Sequence, residues 1–170
     1  FSRLGINLTN LLGLHFPGAS DFHFFQFVTY MFMHDISSFG HIFFNMFAVF
    51  MFGRTLEMVW GPKRFLTYYL TTGIGAGLVQ LVVWFFIFNS VASANHMSVF
   101  ELIQRDPTVN YFITVGASGS VFGILLAFGV MFPNISLFII PFPFPIKAKY
   151  FVIGYGVLEL FLGISNFQGL

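Results

Sequence analysis

Thr114–Gly129 reads TVGASGSVFGILLAFG. A serine set among glycines heads a long apolar run, and whether that run crosses a membrane or fills a soluble core decides the fold. Composition settles the choice. Only 8% of the 170 residues are charged, while 57% are hydrophobic and mean hydropathy is +0.86. An ordinary soluble domain carries roughly 25% charged residues, and so few charges cannot cover the surface of a soluble protein of this size. The chain therefore reads as an all-α integral membrane protein, a helix bundle in a lipid bilayer. Its net charge of +1 offers no polyelectrolyte attraction for nucleic acid. The absence of cysteine excludes disulfides and cysteine-based metal sites.

A spanning helix needs about 20 mostly apolar residues. Four candidate transmembrane helices follow, at 41–60, 65–89, 115–132 and 150–164, the last of them short. Residues 1–40 read as a first-loop, interfacial region, since DFHFFQFVTYMFMHD (21–35) is too short and too interrupted to span. GPKR (61–64) reads as a tight turn, and Pro141, Pro143 and Pro145 hold their connection extended. Residues 1–170 read as a single membrane domain, expected to be truncated at both ends because the chain opens FSRLGINLTN and closes GISNFQGL. The positive-inside rule puts Lys63, Arg64, Lys147 and Lys149 at the cytoplasmic side and the connection 90–110 outside.

On this orientation the helices carrying His41, Asn45 and Ser118 all begin on the outer side, so the three polar groups share a depth. Polar groups inside a membrane are costly and usually face the bundle interior, and three at one level suggest a site. His41 and Asn45 stand at i, i+4 on one helix face and offer N–H donors suited to a developing oxyanion. Ser118, between Gly116 and Gly119, sits at a helix start beside unpaired backbone N–H groups and the positive end of the dipole. A plainer reading stays open. Gly73/Gly77 and Gly119/Gly123 are GxxxG pairs that let membrane helices pack closely, Ser118 fits as a packing serine, and His41 with Asn45 fits as an interhelical hydrogen-bonding pair. The sequence has no H-E-x-x-H and no aspartate in a candidate span, and His34, Asp35 and His41 match no standard metal-ligand spacing. No metal is expected. Arg54, Glu57 and Gln80 read as structural, and His15, His23 and His96 as interfacial or loop residues.

HDISSFGHIFFNMFAVFMFG (34–53) resembles the second-helix signature of rhomboid intramembrane serine proteases, and GASGSVFG (116–123) their G-x-S-G nucleophile motif. FGRTLEMVWGPKRFLTYYL and FPIKAKYFVIGYGVLELFLG are also similar to family segments, so the resemblance covers nearly the whole chain. It implies a six-helix bundle, with about four spans present here. Ser118 would be the nucleophile of a Ser–His dyad, and His41, Asn45 and the Ser118 N–H the oxyanion hole, with His34 nearby. Gly116, Gly119 and Phe122 would support the motif. No metal or organic cofactor is implied. The implied partners are single-pass or other membrane proteins, cut within a transmembrane segment, and the implied location is a bacterial cytoplasmic (inner) membrane with the site facing outside. The oligomeric state is not implied.

Three departures accompany the resemblance. The family's general base is a sixth-helix histidine expected after Leu170, so the 170 residues alone are expected to be inactive. The His34–His41 spacing is two residues longer than the common form. The Trp-Arg pair that some members carry in the first loop is absent. Two other classes compete: a rhomboid-like protein that binds transmembrane clients without cutting them, and a channel or transporter, which the lack of charge at mid-span disfavours.

Overall fold

The computed structural model describes residues 7–33, 39–138 and 144–167, with the side chains of 39–41, 44 and 158–167 outside the description. His34 and Pro141 with Pro143 therefore lie outside the described residues. Asn7 caps the short α1 (Leu8–Leu12), its side chain accepting from Thr9 and Asn10 N–H at 3.1 and 3.2 Å. β1 (Leu14–His15) follows, and α2 (Gln26–Thr29) runs into a 3₁₀ turn, Tyr30–Phe32. Next come α3 (Phe39–Ala48), a π-helical turn (Val49–Gly53) and α4 (Arg54–Trp60).

α5 (Pro62–Ala94) begins after Gly61, whose φ of +79° reverses the chain, and proline sits in its first turn where an N–H is not needed. α6 (Val99–Arg105) opens with a Ser98–Glu101 capping box. A 3₁₀ turn (Pro107–Tyr111), β2 (Ile113–Thr114), α7 (Ser118–Met131), β3 (Ser136–Leu137), β4 (Ile146–Lys147) and α8 (Ala148–Phe167) complete the order. β1 pairs antiparallel with β2, and β3 with β4.

Helix bounds differ from those expected. α5 has 33 residues and overruns 65–89 at both ends, at its C-terminal end because Phe88 and Ala92 are buried in a packed apolar cluster rather than ending in water. Among the described residues it is the one helix long and apolar enough to cross a membrane. α7 has 14 residues and starts at Ser118 instead of 115, because Ile113 and Thr114 pair as a strand with β1 and Gly116 turns the chain at φ +133°. The 41–60 stretch is helical but carries the π turn in its middle, and the 150–164 stretch lies inside the longer α8.

Two apolar clusters occupy opposite ends of α5. One gathers Phe52, Leu56, Val121, Ile124, Leu125, Phe128 and Val152, with Phe65, Tyr68 and Tyr69 of α5 against it. Its rings interlock: Phe52 meets Phe128 edge-on at 4.9 Å and stacks on Phe151 at 5.9 Å. The other joins Leu14, Phe16, Tyr30, Met31, Trp84, Phe88, Leu102 and Val109. There Phe88 is held between Phe16 and Phe112, each at 5.0 Å and nearly perpendicular. Leu66, Leu78, Val79, Val82, Phe85 and Phe86 of α5 point outward and exposed, as suits a helix facing lipid.

α5 and α7 run antiparallel at close range. The Tyr68 hydroxyl donates to Gly123 O at 3.0 Å, and Ser120 Oγ to Tyr69 O at 2.9 Å. A Cβ on Gly123 would fall 2.7 Å from Thr72 Cβ, and one on Gly119 would strike Ala76. The Gly119/Gly123 pair thus brings two helices together, as its spacing suggests. The Gly73/Gly77 pair admits more than a helix. A Cβ on Gly73 would enter Met31 Sδ and Ser120 Oγ, and one on Gly77 would press on Leu14 and Tyr30 at 3.2 and 3.3 Å. These two glycines form a seat for the Tyr30–Met31 segment, since only a helix without side chains there admits a second layer of chain.

Gly73→Ala should destabilise the protein by about 1–3 kcal/mol through overpacking. Gly75→Ala, with nothing within 4 Å of the added carbon, should be neutral or stabilising by up to about 1 kcal/mol. Unfolding titrations in detergent micelles check both.

Candidate active site

The approach to Ser118 is built by backbone. β2 pairs with β1 in the register Leu14 to Thr114 and His15 to Ile113. Two residues later Gly116 takes φ +133°, a conformation that side chains exclude, and donates its N–H to Tyr30 O at 2.9 Å. The chain then enters α7 with Ser118 as its first residue. Ala117, at the cap, supplies no side-chain acceptor. First-turn N–H groups have no intrahelical partner, and among the described residues none accepts from Ser118 or Gly119 N–H. Ser118 is half-buried, and its hydroxyl makes no hydrogen bond to a described residue. A hydroxyl, free amide protons and the positive helix end therefore coincide at one point.

Asn45 stands on α3, which packs on α7. It is 3% exposed, and its Nδ2 is buried without a hydrogen-bond partner among the described residues. One turn on, Ala48 lies in the same cluster as Ala117 and Val121, so this face of α3 is turned towards the start of α7. Leaving a buried amide donor unpaired costs about 1–3 kcal/mol, which native structures avoid unless the group has another use. His41 lies in α3 four residues before Asn45, but its side chain is outside the description. Two members of the expected constellation, Asn45 and Ser118, thus lie on helices in contact.

The supporting residues separate in role. Gly116 makes the positive-φ turn, and Gly119 admits Ala76 of α5. Phe122 reaches α8, stacking on Tyr155 at 6.3 Å, with Gly156 leaving room for its ring. No group of three His, Cys, Asp or Glu among the described residues could hold a metal.

Sequence reading missed the residues that brace the site. His15, expected to be an interfacial or loop residue, is fully buried in the two-residue β1, with Nε2 2.8 Å from Asn10 O. Gln26 is also fully buried and ties the first loop together. Its Oε1 accepts from His15 and His23 N–H at 3.3 and 3.1 Å, and its Nε2 donates to Asp21 and Leu11 carbonyls at 2.7 and 3.2 Å. Ser120 Oγ spans from Tyr69 O to Met31 Sδ, 3.4 Å away. No local pattern announces most of these bonds, because apart from the His23 N–H, three residues before Gln26, the partners are distant in sequence or are loop carbonyls. His23 stacks on Phe25 at 5.1 Å, and His96 is exposed at φ +54° in the α5–α6 turn. None of these three histidines bonds to Ser118.

The Asn10 side chain, donating to Asp21 at 2.6 Å, holds that carboxyl below its ordinary value against the opposing effect of burial. A depressed folded value stabilises the loop above the unfolded value of about 3.9, and this contribution is lost as pH falls through the folded one. Asn10→Ala should move the Asp21 titration upward, read by carboxyl-carbon NMR. Gln26→Ala, which orphans two N–H groups and two carbonyls, should cost about 3 kcal/mol, measured by equilibrium unfolding.

A family model described as the Rhomboid domain matches residues 21–168. The chain is 30% identical over 133 residues to "RHOMBOID-like protein 12, mitochondrial" of Arabidopsis thaliana, covering 76% of this chain and 37% of that protein. It is 28% identical over 107 residues to "Rhomboid protein 1, mitochondrial" of Saccharomyces cerevisiae, covering 63% and 25% respectively. The chain thus spans between a quarter and two fifths of the length of these relatives. No solved structure matches it.

Proposed function

The chain belongs to the rhomboid family, and from that premise we propose that it is the core of an intramembrane serine endopeptidase with Ser118 as nucleophile. The observation that carries this reading is the buried Asn45 amide, without a partner among the described residues, on a helix packed against the one that Ser118 opens. Ser118 Oγ attacks the scissile carbonyl of a substrate's transmembrane segment, giving up its proton to a general base. The carbonyl oxygen becomes an oxyanion, held by the Ser118 N–H, Asn45 Nδ2–H and His41, with His34 nearby. Collapse returns the proton to the leaving amine, and water then releases the acyl group by the same route in reverse. The base is the histidine that the family pattern expects on a helix after α8. His15 and His23 are committed within the first loop, which supports assigning the base elsewhere.

The site opens to the face away from Lys63, Arg64, Lys147 and Lys149. The host membrane is a bacterial cytoplasmic one on the sequence reading and a mitochondrial one on the names of the two relatives. A protein that only bound transmembrane clients would have no use for an amide donor buried at a cost and left unspent.

In the full-length protein a fluorophosphonate probe should label Ser118, and Ser118→Ala should abolish cleavage of a model transmembrane substrate. Asn45→Ala should lower kcat by about 10²–10³ with KM little changed. Cleavage that persists in Ser118→Ala overturns the reading.

A further inference from the structure

We infer that Tyr30 is a positioning residue for Ser118, an inference that rests on the reading of Ser118 as nucleophile. Tyr30 is 3% exposed and lies outside the nucleophile motif, 88 positions upstream of the serine. It is bound at both ends. Its phenol donates to Gly73 O of α5 at 2.6 Å, and its own carbonyl accepts the Gly116 N–H at 2.9 Å. Its ring lies in the notch left by Gly77, with Cε1 3.3 Å from where a Cβ would stand, and its hydroxyl is 4.0 Å from the corresponding point on Gly119. One residue thus touches α5 through its side chain and the turn into α7 through its backbone.

That turn is flanked by the β1–β2 pairing and by the buried Ala117, but its own hydrogen bonds are few. Gly116 sits at φ +133°, where glycine has no steric restraint of its own, and Ala117 contributes no capping bond. The hydrogen bond from Gly116 to Tyr30 tethers the chain two residues before Ser118, as the Ser120 contacts with Tyr69 O and Met31 Sδ hold it two residues after. The adjacent Met31 repeats the arrangement one step deeper, its Sδ meeting the Ser120 hydroxyl. The Gly73/Gly77 seat, which at Gly73 also admits Ser120 of α7, is what lets Tyr30 reach both helices. A nucleophile displaced by about 1 Å loses on the order of 10²-fold in rate, so the phenol bond governs kcat through the position of Tyr30's backbone, with no contact to substrate.

Tyr30→Phe keeps the ring in its notch and removes only the phenol bond. In the full-length protein it should speed amide hydrogen exchange at Gly116 about tenfold while α5 and α8 keep their protection. It should lower kcat by about tenfold with KM within about twofold. Unchanged protection at Gly116, or a loss of protection spread evenly over α5 and α8, overturns the positioning role. The two readings fail separately. Unchanged Gly116 exchange beside an inactive Ser118→Ala removes Tyr30's role alone, whereas cleavage by Ser118→Ala removes the nucleophile reading and with it any catalytic meaning of the tether.

Discussion

Everything in this bundle hangs on the close antiparallel contact of α5 with α7. In lipid the hydrophobic effect does not drive helices together, so packing of small residues and hydrogen bonds to backbone carbonyls must. Gly119 against Ala76 and Gly123 against Thr72 bring the two backbones near. That approach puts Ser120 within reach of Tyr69 O and the Tyr68 hydroxyl within reach of Gly123 O. The two aromatic clusters then assemble at either end of α5, one gathering α4, α7 and α8, the other gathering the first loop and α6. Ser118 opens α7 between Gly116, tied to Tyr30 of one cluster, and Val121 of the other, so its position is inherited from both.

The economy of polar groups separates scaffold from site. Around the cluster of Leu14, Tyr30 and Trp84, buried polar side chains are spent: Gln26 has four partners, Ser120 two, and the Tyr30 hydroxyl one short bond. His15 keeps one buried ring nitrogen, Nδ1, without a partner, while its other nitrogen bonds Asn10 O. Asn45 differs in leaving a buried donor unspent, on the helix that faces the start of α7. Among the described residues the Ser118 and Gly119 N–H groups of α7 have no acceptor either. A site that must receive an oxyanion needs donors that no protein acceptor has already taken.

Much of this was legible in the sequence, for stated reasons. Charge scarcity shows in composition, so the all-α membrane class follows without any structure. The His41–Asn45 spacing and the glycine-flanked Ser118 are local patterns, and local patterns survive any tertiary arrangement. The start of α7 was misplaced by three residues because apolarity continues through Val115, while the strand pairing with Leu14 and His15, which keeps Ile113 and Thr114 out of the helix, is a contact across about a hundred positions. Gly73/Gly77 was open to a helix-packing reading because spacing reports small residues on one face but not what lies against them.

The sequence by itself determined the membrane class, the run of helices, the family resemblance and the residue types that chemistry needs, since each depends on composition or on neighbours a few positions apart. Only the tertiary structure decided where α7 begins, what the glycines of α5 admit, and that His15 and Gln26 are interior residues. It also decided that Tyr30 joins α5 to the turn that leads into Ser118. Those outcomes depend on which distant carbonyl a buried donor meets, and such meetings exist only once the helices have packed.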